Sequence, residues 1–326
     1  MIAKKKILII GSKQNYTLDK MYFRALKELK HKVEFYHTHD TVRSKFILFF
    51  EKYLSFFYYF LIRILLLNYL KKKNNFDLII FFKGLYLNKK FLIKIKKFNK
   101  KTKLVNIFPD NPLNIYDKNI SNPSLLETID LFDYFCLWSK SIIKKLRNKK
   151  NLLYLPFGYD KYTHIKVKKD KKYSNEINFI GSYDIKRAYM LKSIKKKILI
   201  AGNGWKGIEN LGRPIFENEL SKVISSSSIS INILRDQNKD SHNMRTFEIP
   251  AMGGLMLTSR SIEQNLFFKE NKECLMYSGK KELNQKIKYI MNKKNKIRQI
   301  KKKAFIKSKK HSYTNRSVFL LSKVFK

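Results

Sequence analysis

Short apolar runs separated by amphipathic stretches set the rhythm of the first half of the chain. Runs at 7–10, 33–37, 78–82, 104–108, 134–138 and 152–155 read as strands, and the stretches between them, such as 18–29, carry helical spacing. Strands alternating with helix-length segments predict parallel βαβ units, whose right-handed crossovers wind a sheet in both directions. The rhythm breaks at Leu155-Pro156-Phe157-Gly158, and the Lys-rich, Gly-free segment 161–175 reads as solvated linker. Alternation restarts with apolar runs at 177–180, 198–201, 229–234, 255–257 and 274–277. Helices follow at 281–291, 293–309 and 315–325. The expected architecture is α/β: a Rossmann-like domain over 1–158, a second over 159–310, and a C-terminal helix over 311–326 packing back on the first. Two such domains leave a central cleft at the carboxyl ends of their strands, where open α/β sheets take ligands.

With 326 residues, 44% of them hydrophobic, the chain has material for two cores of ordinary size. The formal charge of +45 changes the picture less than its size suggests. Lysines are spread over nearly every expected helix face, as an AT-rich coding bias produces, so no specific nucleic-acid partner is expected. An anionic membrane surface is the stronger alternative. The apolar stretch 46–70 is interrupted by Glu51, Lys52 and Arg63. Its longest uncharged run, 53–62, is about half of the roughly 20 residues a spanning helix needs. It reads as a helix buried between sheet and solvent, or as one lying on an anionic leaflet with Lys71, Lys72 and Lys73 at its end. Cys136 and Cys274 are far apart in apolar runs and suggest neither a disulfide nor a zinc site. The N-terminal apolar run is too short for a secretion signal, so a cytoplasmic location is expected, peripheral to the membrane at most.

Candidate chemistry concentrates in 243–258. Asn243 can cap a helix, Arg245 brings a planar cation to its first turn, Glu248 follows one turn later, and Gly253-Gly254 ends it before a strand. An Arg suits a phosphate and a Glu suits a vicinal diol, which together describe a sugar nucleotide. Gly181-Ser182 follows a strand and precedes Arg187, an arrangement that lets helix-terminal amides face a diphosphate. Gly202, Gly204 and Trp205 follow the next strand as another wall of that pocket, Trp205 either stacking on a base or anchoring the loop. Asp240 lies eight positions before Glu248 and could share its cleft. In the first half, Gly11-Ser12 opens a loop close to a ligand on the acceptor side. Asp110, after Pro109, is thrown to the rim where it could orient an acceptor hydroxyl, or else forms an Asx-type turn. His37 and His39 have no metal-ligand company, and no metal site is expected.

On these residues the chain resembles group-1-type glycosyltransferases of GT-B fold, and within them the spore-protein CgeB/YkvP-like branch. The resemblance is carried by 110–112, 155–158, 179–182 with Arg187, 202–205, 232–234, 243–254, the helix at Glu282-Leu283 and the closing 311–316. It implies a nucleoside-diphosphate sugar donor, no other cofactor, and a glycan, lipid-linked or protein acceptor in cell-surface glycoconjugate synthesis. The superfamily's acid, seven residues and Glu would fall on Asp240 and Glu248, giving Glu248 the ribose. The same resemblance implies metal-independent transfer in which Arg245 and Arg187 stabilise the departing diphosphate. A non-catalytic sugar-nucleotide-binding or surface-assembly protein of the same fold, and a basic nucleic-acid-binding protein, are the rival readings.

Overall fold

The computed structural model describes residues 3–12, 14–39, 54–73, 75–174, 177–206 and 211–326. The chain divides into two compact units, Met1–Pro156 with Arg316–Lys326, and Phe157–Asn315.

The first unit holds six strands: β1 (Lys6–Ser12), β2 (Lys32–His39), β3 (Leu78–Phe82), β4 (Lys103–Phe108), β5 (Tyr134–Leu137) and β6 (Leu152–Tyr154). They lie in the order β2-β1-β3-β4-β5-β6, every pair parallel. Every residue of β3, Leu-Ile-Ile-Phe-Phe, is buried, as a central parallel strand covered on both faces requires. The C-terminal helix Tyr313–Val324 ends against this sheet: the Tyr134 hydroxyl donates to the Lys323 carbonyl at 3.2 Å, and Lys5 Nζ lies 4.6 Å over the Phe325 ring.

Helix Ser55–Lys72 departs from the expectation of a buried helix. It buries one edge, Ile62, Leu66 and Leu70, at i, i+4 and i+8. It exposes Phe56, Phe57, Phe60, Leu61, Ile64 and Leu65 to solvent. The sequence here is apolar all round, so burying one edge necessarily leaves an apolar face outside. Residues 46–53 of the same apolar stretch lie outside the described residues. Among the described residues no helix is long and apolar enough to cross a membrane.

The second unit holds β7 (Ile177–Ile180), β8 (Ile198–Ala201), β9 (Ile229–Asn232), β10 (Met256–Ser259) and β11 (Leu275–Tyr277), all parallel, in the order β11-β10-β9-β7-β8. Its core gathers Phe179, Ile229, Ile231, Leu257 and Leu275 from the strands with Leu283, Ile287 and Ile290 from the covering helix. The segment after Pro156 is no loose linker. Its backbone N–H groups at Ile165, Val167 and Asp170 donate to the hydroxyls of Ser221, Ser225 and Ser226 at 3.3, 3.2 and 2.9 Å. These serines stand at i, i+4 and i+5 on helix Glu217–Ser226, so one helix face supplies acceptors to an extended strap while lysines of the strap stay in water.

Candidate functional site

The strand order of the second unit reverses between β7 and β9, and in sheets of this kind the crevice outside the carboxyl ends at such a point is where ligands bind. Two arginines reach it. Arg187, on helix Ile185–Leu191 after β7, donates through Nε and Nη2 to the Ile233 carbonyl at 3.2 and 3.0 Å, and through Nη1 to that of Ser182 at 3.0 Å. It is buried, and pins the ends of the two strands together. Arg245 opens helix Arg245–Ala251, donates through Nε to the Ile180 carbonyl at 3.3 Å, and pairs through Nη1 with the carboxylate of Glu248 one turn on. Burial, then the positive charge of Arg235, then that of Arg245, push the Arg187 guanidinium down to about 10, with Asp184 opposing. Two guanidinium groups thus stand at the switch point with the charge of Arg235 felt there as well, an arrangement that an anion would relieve.

Glu248 is only 1% exposed. One carboxylate oxygen takes Arg245, and the other lies 3.6 Å from His164 Nε2. Asn243 Oδ1 accepts from the Thr246 amide at 3.2 Å and so caps the helix. Its amide also exchanges two hydrogen bonds with that of Asn232, at 3.0 and 2.8 Å. Beneath it, buried Gln264 accepts from the Thr246 and Thr258 hydroxyls and donates to the Ser259 carbonyl. Asn243 therefore ties the helix to β9, with its polar atoms spent inside the protein.

The structure separates the two acids of the seven-residue spacing: Asp240 is in an exposed turn and Glu248 is buried. The buried acid nearby is Glu263. The Phe157 N–H donates to His242 Nε2 at 3.2 Å, which leaves the ring proton on Nδ1, 3.1 Å from the Glu263 carboxylate that also accepts from Ser241 at 2.6 Å.

The glycine turns have structural occupations. Asp184 caps the helix after Gly181-Ser182, accepting from Lys186 and Arg187 amides at 3.0 and 3.3 Å, so the amides expected to face a diphosphate already hold a carboxylate. Trp205 donates to the Gly181 carbonyl at 2.8 Å and packs edge-on against Phe179 and Tyr183, at 5.7 and 5.3 Å; it is the loop anchor, and a stacked base would have to displace those rings. A Cβ at Gly202 would run into the Gly181 carbonyl oxygen, and Gly204 sits at φ +81°. Gly253, at φ +71°, and Gly254 close the helix: their amides return to the Pro250 and Ile249 carbonyls at 3.0 and 2.9 Å, the paired bonds of a Schellman ending. A Cβ on Gly254 would lie 2.6 Å from Ile224 Cγ2, so helix packing requires a glycine there.

In the first unit, Gly11 gives way to Asp19, whose carboxylate accepts from the Ser12 amide, while the Ser12 hydroxyl meets Thr17 Oγ1 at 3.1 Å. The loop proposed to approach a ligand is filled by its own buried acid, whose pKa burial raises. Asp110 pairs with Lys83 Nζ at 2.8 Å on the neighbouring strand end. The Asx turn falls one residue later, where Asn111 Oδ1 accepts from Leu113. A cavity of about 710 Å³ lies beyond the carboxyl ends of β3 and β4, lined by Phe56, Tyr59, Arg63, Asn88, Asn119 and Asn122 among others. Arg63 is steadied there by the Tyr86 carbonyl at 2.9 Å. Exposed His37 rests 4.8 Å from the Phe35 ring, and the side chain of His39 is not described. Among the described residues no three His, Cys, Asp or Glu side chains are grouped to hold a metal ion. Both cysteines are free and buried, and burial pushes the Cys274 thiol up to about 12.

Sequence reasoning missed Arg235, His164 and the aromatic-lined pocket. Arg235 directly follows an expected strand, a signal that was available. His164 lies in the stretch read as linker, where nothing in the pattern marks it.

The family described as "Glycosyl transferase-like" matches residues 186–322. None of the curated proteins matches the sequence. Solved structures share the fold over nearly the whole chain. Alr3699/HepE of Anabaena, in complex with UDP-glucose, is 10% identical with a TM-score of 0.65, covering 98% of this chain and 99% of its own. A glycosyltransferase of Rickettsia africae is 14% identical with a TM-score of 0.64, covering 100% and 98%. A DNA-modifying β-glucosyltransferase is 14% identical with a TM-score of 0.60, covering 98% and 100%. The chain thus has the GT-B glycosyltransferase fold, two parallel-sheet α/β domains of six and five strands.

Proposed function

We propose that the chain transfers a sugar, a hexose in the simplest case, from a nucleoside-diphosphate sugar held at the switch point of its second unit. The observation that carries this reading is the convergence of Arg187 and Arg245 on the ends of β7 and β9 beside buried Glu248. The similar structures that hold UDP or UDP-glucose favour the same donor class. In this reading Arg245 and Arg187 meet the diphosphate, and Glu248 turns an oxygen to the ribose hydroxyls. The acceptor hydroxyl attacks the anomeric carbon and gives up its proton to water or to the departing phosphate oxygen. The bond from that carbon to the diphosphate breaks with its electron pair on phosphate oxygen, where preorganised cations stabilise the developing charge. The acceptor lies on the first unit, at the Phe56–Arg63 pocket, with Asp110 as its orienting group, and belongs to cell-surface glycoconjugate synthesis of the CgeB-like kind. Transfer needs no metal.

Isothermal titration against a panel of nucleoside-diphosphate sugars, with turnover measured alongside, tests the donor site. Glu248→Gln should weaken donor binding by roughly 1.5–3 kcal/mol, the range for hydrogen bonds to charged groups. Arg245→Ala should lower turnover by about 10²–10³, as losing one preorganised donor to developing negative charge does. Turnover should survive EDTA. A folded Arg245→Ala chain that turns over normally, with wild-type activity that dies in EDTA and returns with Mg²⁺, would sink both site and mechanism.

A second reading concerns location. The exposed apolar face of helix Ser55–Lys72 and the exposed lysines at its end favour peripheral attachment at the cytoplasmic face of an anionic membrane.

A further inference from the structure

A groove of about 670 Å³ in the second unit belongs to neither reading. The strap after Asp160, the end of helix Glu217–Ser226 and helices Lys280–Asn292 and Lys294–Ser308 enclose it, and Met252-Gly253 closes one side. Six cations line it: Lys166, Lys169, Lys294, Arg298, Lys301 and Lys302. No carboxylate is among the lining residues, although acids pair with lysines elsewhere, as Glu273 does with Lys307 on the same helix as Lys301. Ser228 adds an exposed hydroxyl, and Ile297 and Phe305 give an apolar wall, with Lys166 Nζ 5.4 Å over the Phe305 ring.

Five of the six cations are exposed at the rim and Lys301 sits half-buried among them, so like charges repel across the groove and an anion there would relieve that repulsion. A Lys bias explains lysines on open helix faces. It does not explain a half-buried lysine facing only other cations. Burial first, then Lys169 and Lys166, lower the Lys301 ammonium to about 8.

We propose that this groove binds a soluble, multiply phosphorylated anion at a site distinct from the arginine cluster, its phosphates on the lysines and its organic part against Ile297 and Phe305. The ligand's volume is bounded by a cavity of ordinary small-molecule size. The two sites share one helix: Arg245 stands in its first turn and Gly253 just past its last.

Inorganic tripolyphosphate is the first probe, titrated calorimetrically into the full chain at pH 8 and low salt in two buffers of different protonation enthalpy. Saturable binding with proton uptake is expected, because Lys301, beside Lys169 and Lys166 in a groove whose other charged lining residues are Lys294, Arg298 and Lys302, is drawn to its charged form. Lys301→Met with Arg298→Gln should weaken binding at least about tenfold, the scale of losing charge partners at a partly buried site. Lys301→Arg should keep it, and in the Arg245→Ala background, where tripolyphosphate held by the donor cluster is weakened, the groove's own binding should persist. Binding by the double variant equal to that of the wild type would overturn the site. So would binding without proton uptake. Phosphatidylglycerol vesicles separate the two sources of phosphate: if the double variant loses vesicles but keeps tripolyphosphate, the groove reads a lipid surface and the soluble ligand is wrong.

Discussion

Lys301 shows how one side chain converts placement into a measurable property. A lysine whose folded pKa of about 8 lies below the unfolded value of about 10.4 binds its proton less well in the fold. Between those two values the unfolded chain carries more protons, so stability rises with pH across that window and is lower throughout the range below it. Lys301→Met removes the penalty and keeps the stem. It is expected to raise Tm at pH 7 by a few degrees, at about 2–4 °C per kcal/mol for a unit of this size, and to flatten the rise between pH 8 and 10. Calorimetric Tm values that are unchanged at pH 7 and keep their pH slope would remove the electrostatic strain from the groove. Glu248 is the opposite case. Its buried charge is met by Arg245, while His164 Nδ1 accepts from the Asp160 amide and Nε2 lies 3.6 Å from the other carboxylate oxygen, so removing Arg245 leaves an uncompensated carboxylate.

At the scale of elements, the turns carry more information than their glycines alone reveal. Gly202 and Gly181 belong to successive loops that cross in contact, and a Cβ at 202 would meet backbone, which cannot rotate away. Gly202→Ala should therefore destabilise by roughly 3 kcal/mol, the upper end for overpacking, as read by denaturant midpoint. A loss below about 0.5 kcal/mol, the size of an ordinary surface change, would show the loops free to part and return Gly202 to the donor wall. The strands were legible because buried parallel strands are continuous apolar runs: β7 and β8 fall on the expected residues, and β10 is displaced by one or two. The site residues were legible only in part. Arg245 and Glu248 stand one turn apart as their spacing requires, because i, i+3 neighbours on a helix must meet. The occupation of the Gly181 helix terminus by Asp184, of the Gly11 turn by Asp19, and of Trp205 by Phe179 and Tyr183 depends on which groups fold back from a distance, and no local pattern encodes that closure.

For the whole molecule, the charge of +45 and the apolar face of helix Ser55–Lys72 make separable demands on a partner surface. Lys71, Lys72 and Lys73 are exposed at the helix end, and the neighbouring helix Lys89–Phe98 exposes Lys89, Lys90, Lys94, Lys96 and Lys97. Each lysine near an anionic leaflet contributes about 1 kcal/mol, which fades as the Debye length shrinks from about 10 Å at 0.1 M salt to about 3 Å at 1 M. Phe57, Phe60 and Leu61 would contribute a term that salt does not weaken. If charge leads, the chain should sediment with phosphatidylglycerol vesicles and not with phosphatidylcholine vesicles at low salt, and high salt should release it. Phe57→Ser with Leu61→Ser should then reduce binding without abolishing it. Equal binding to both lipids, resistant to salt and lost in that double variant, would mean that the aromatic face inserts and the lysines are bystanders. Absence of binding to either would leave the apolar face to another partner and remove the membrane from the proposed function.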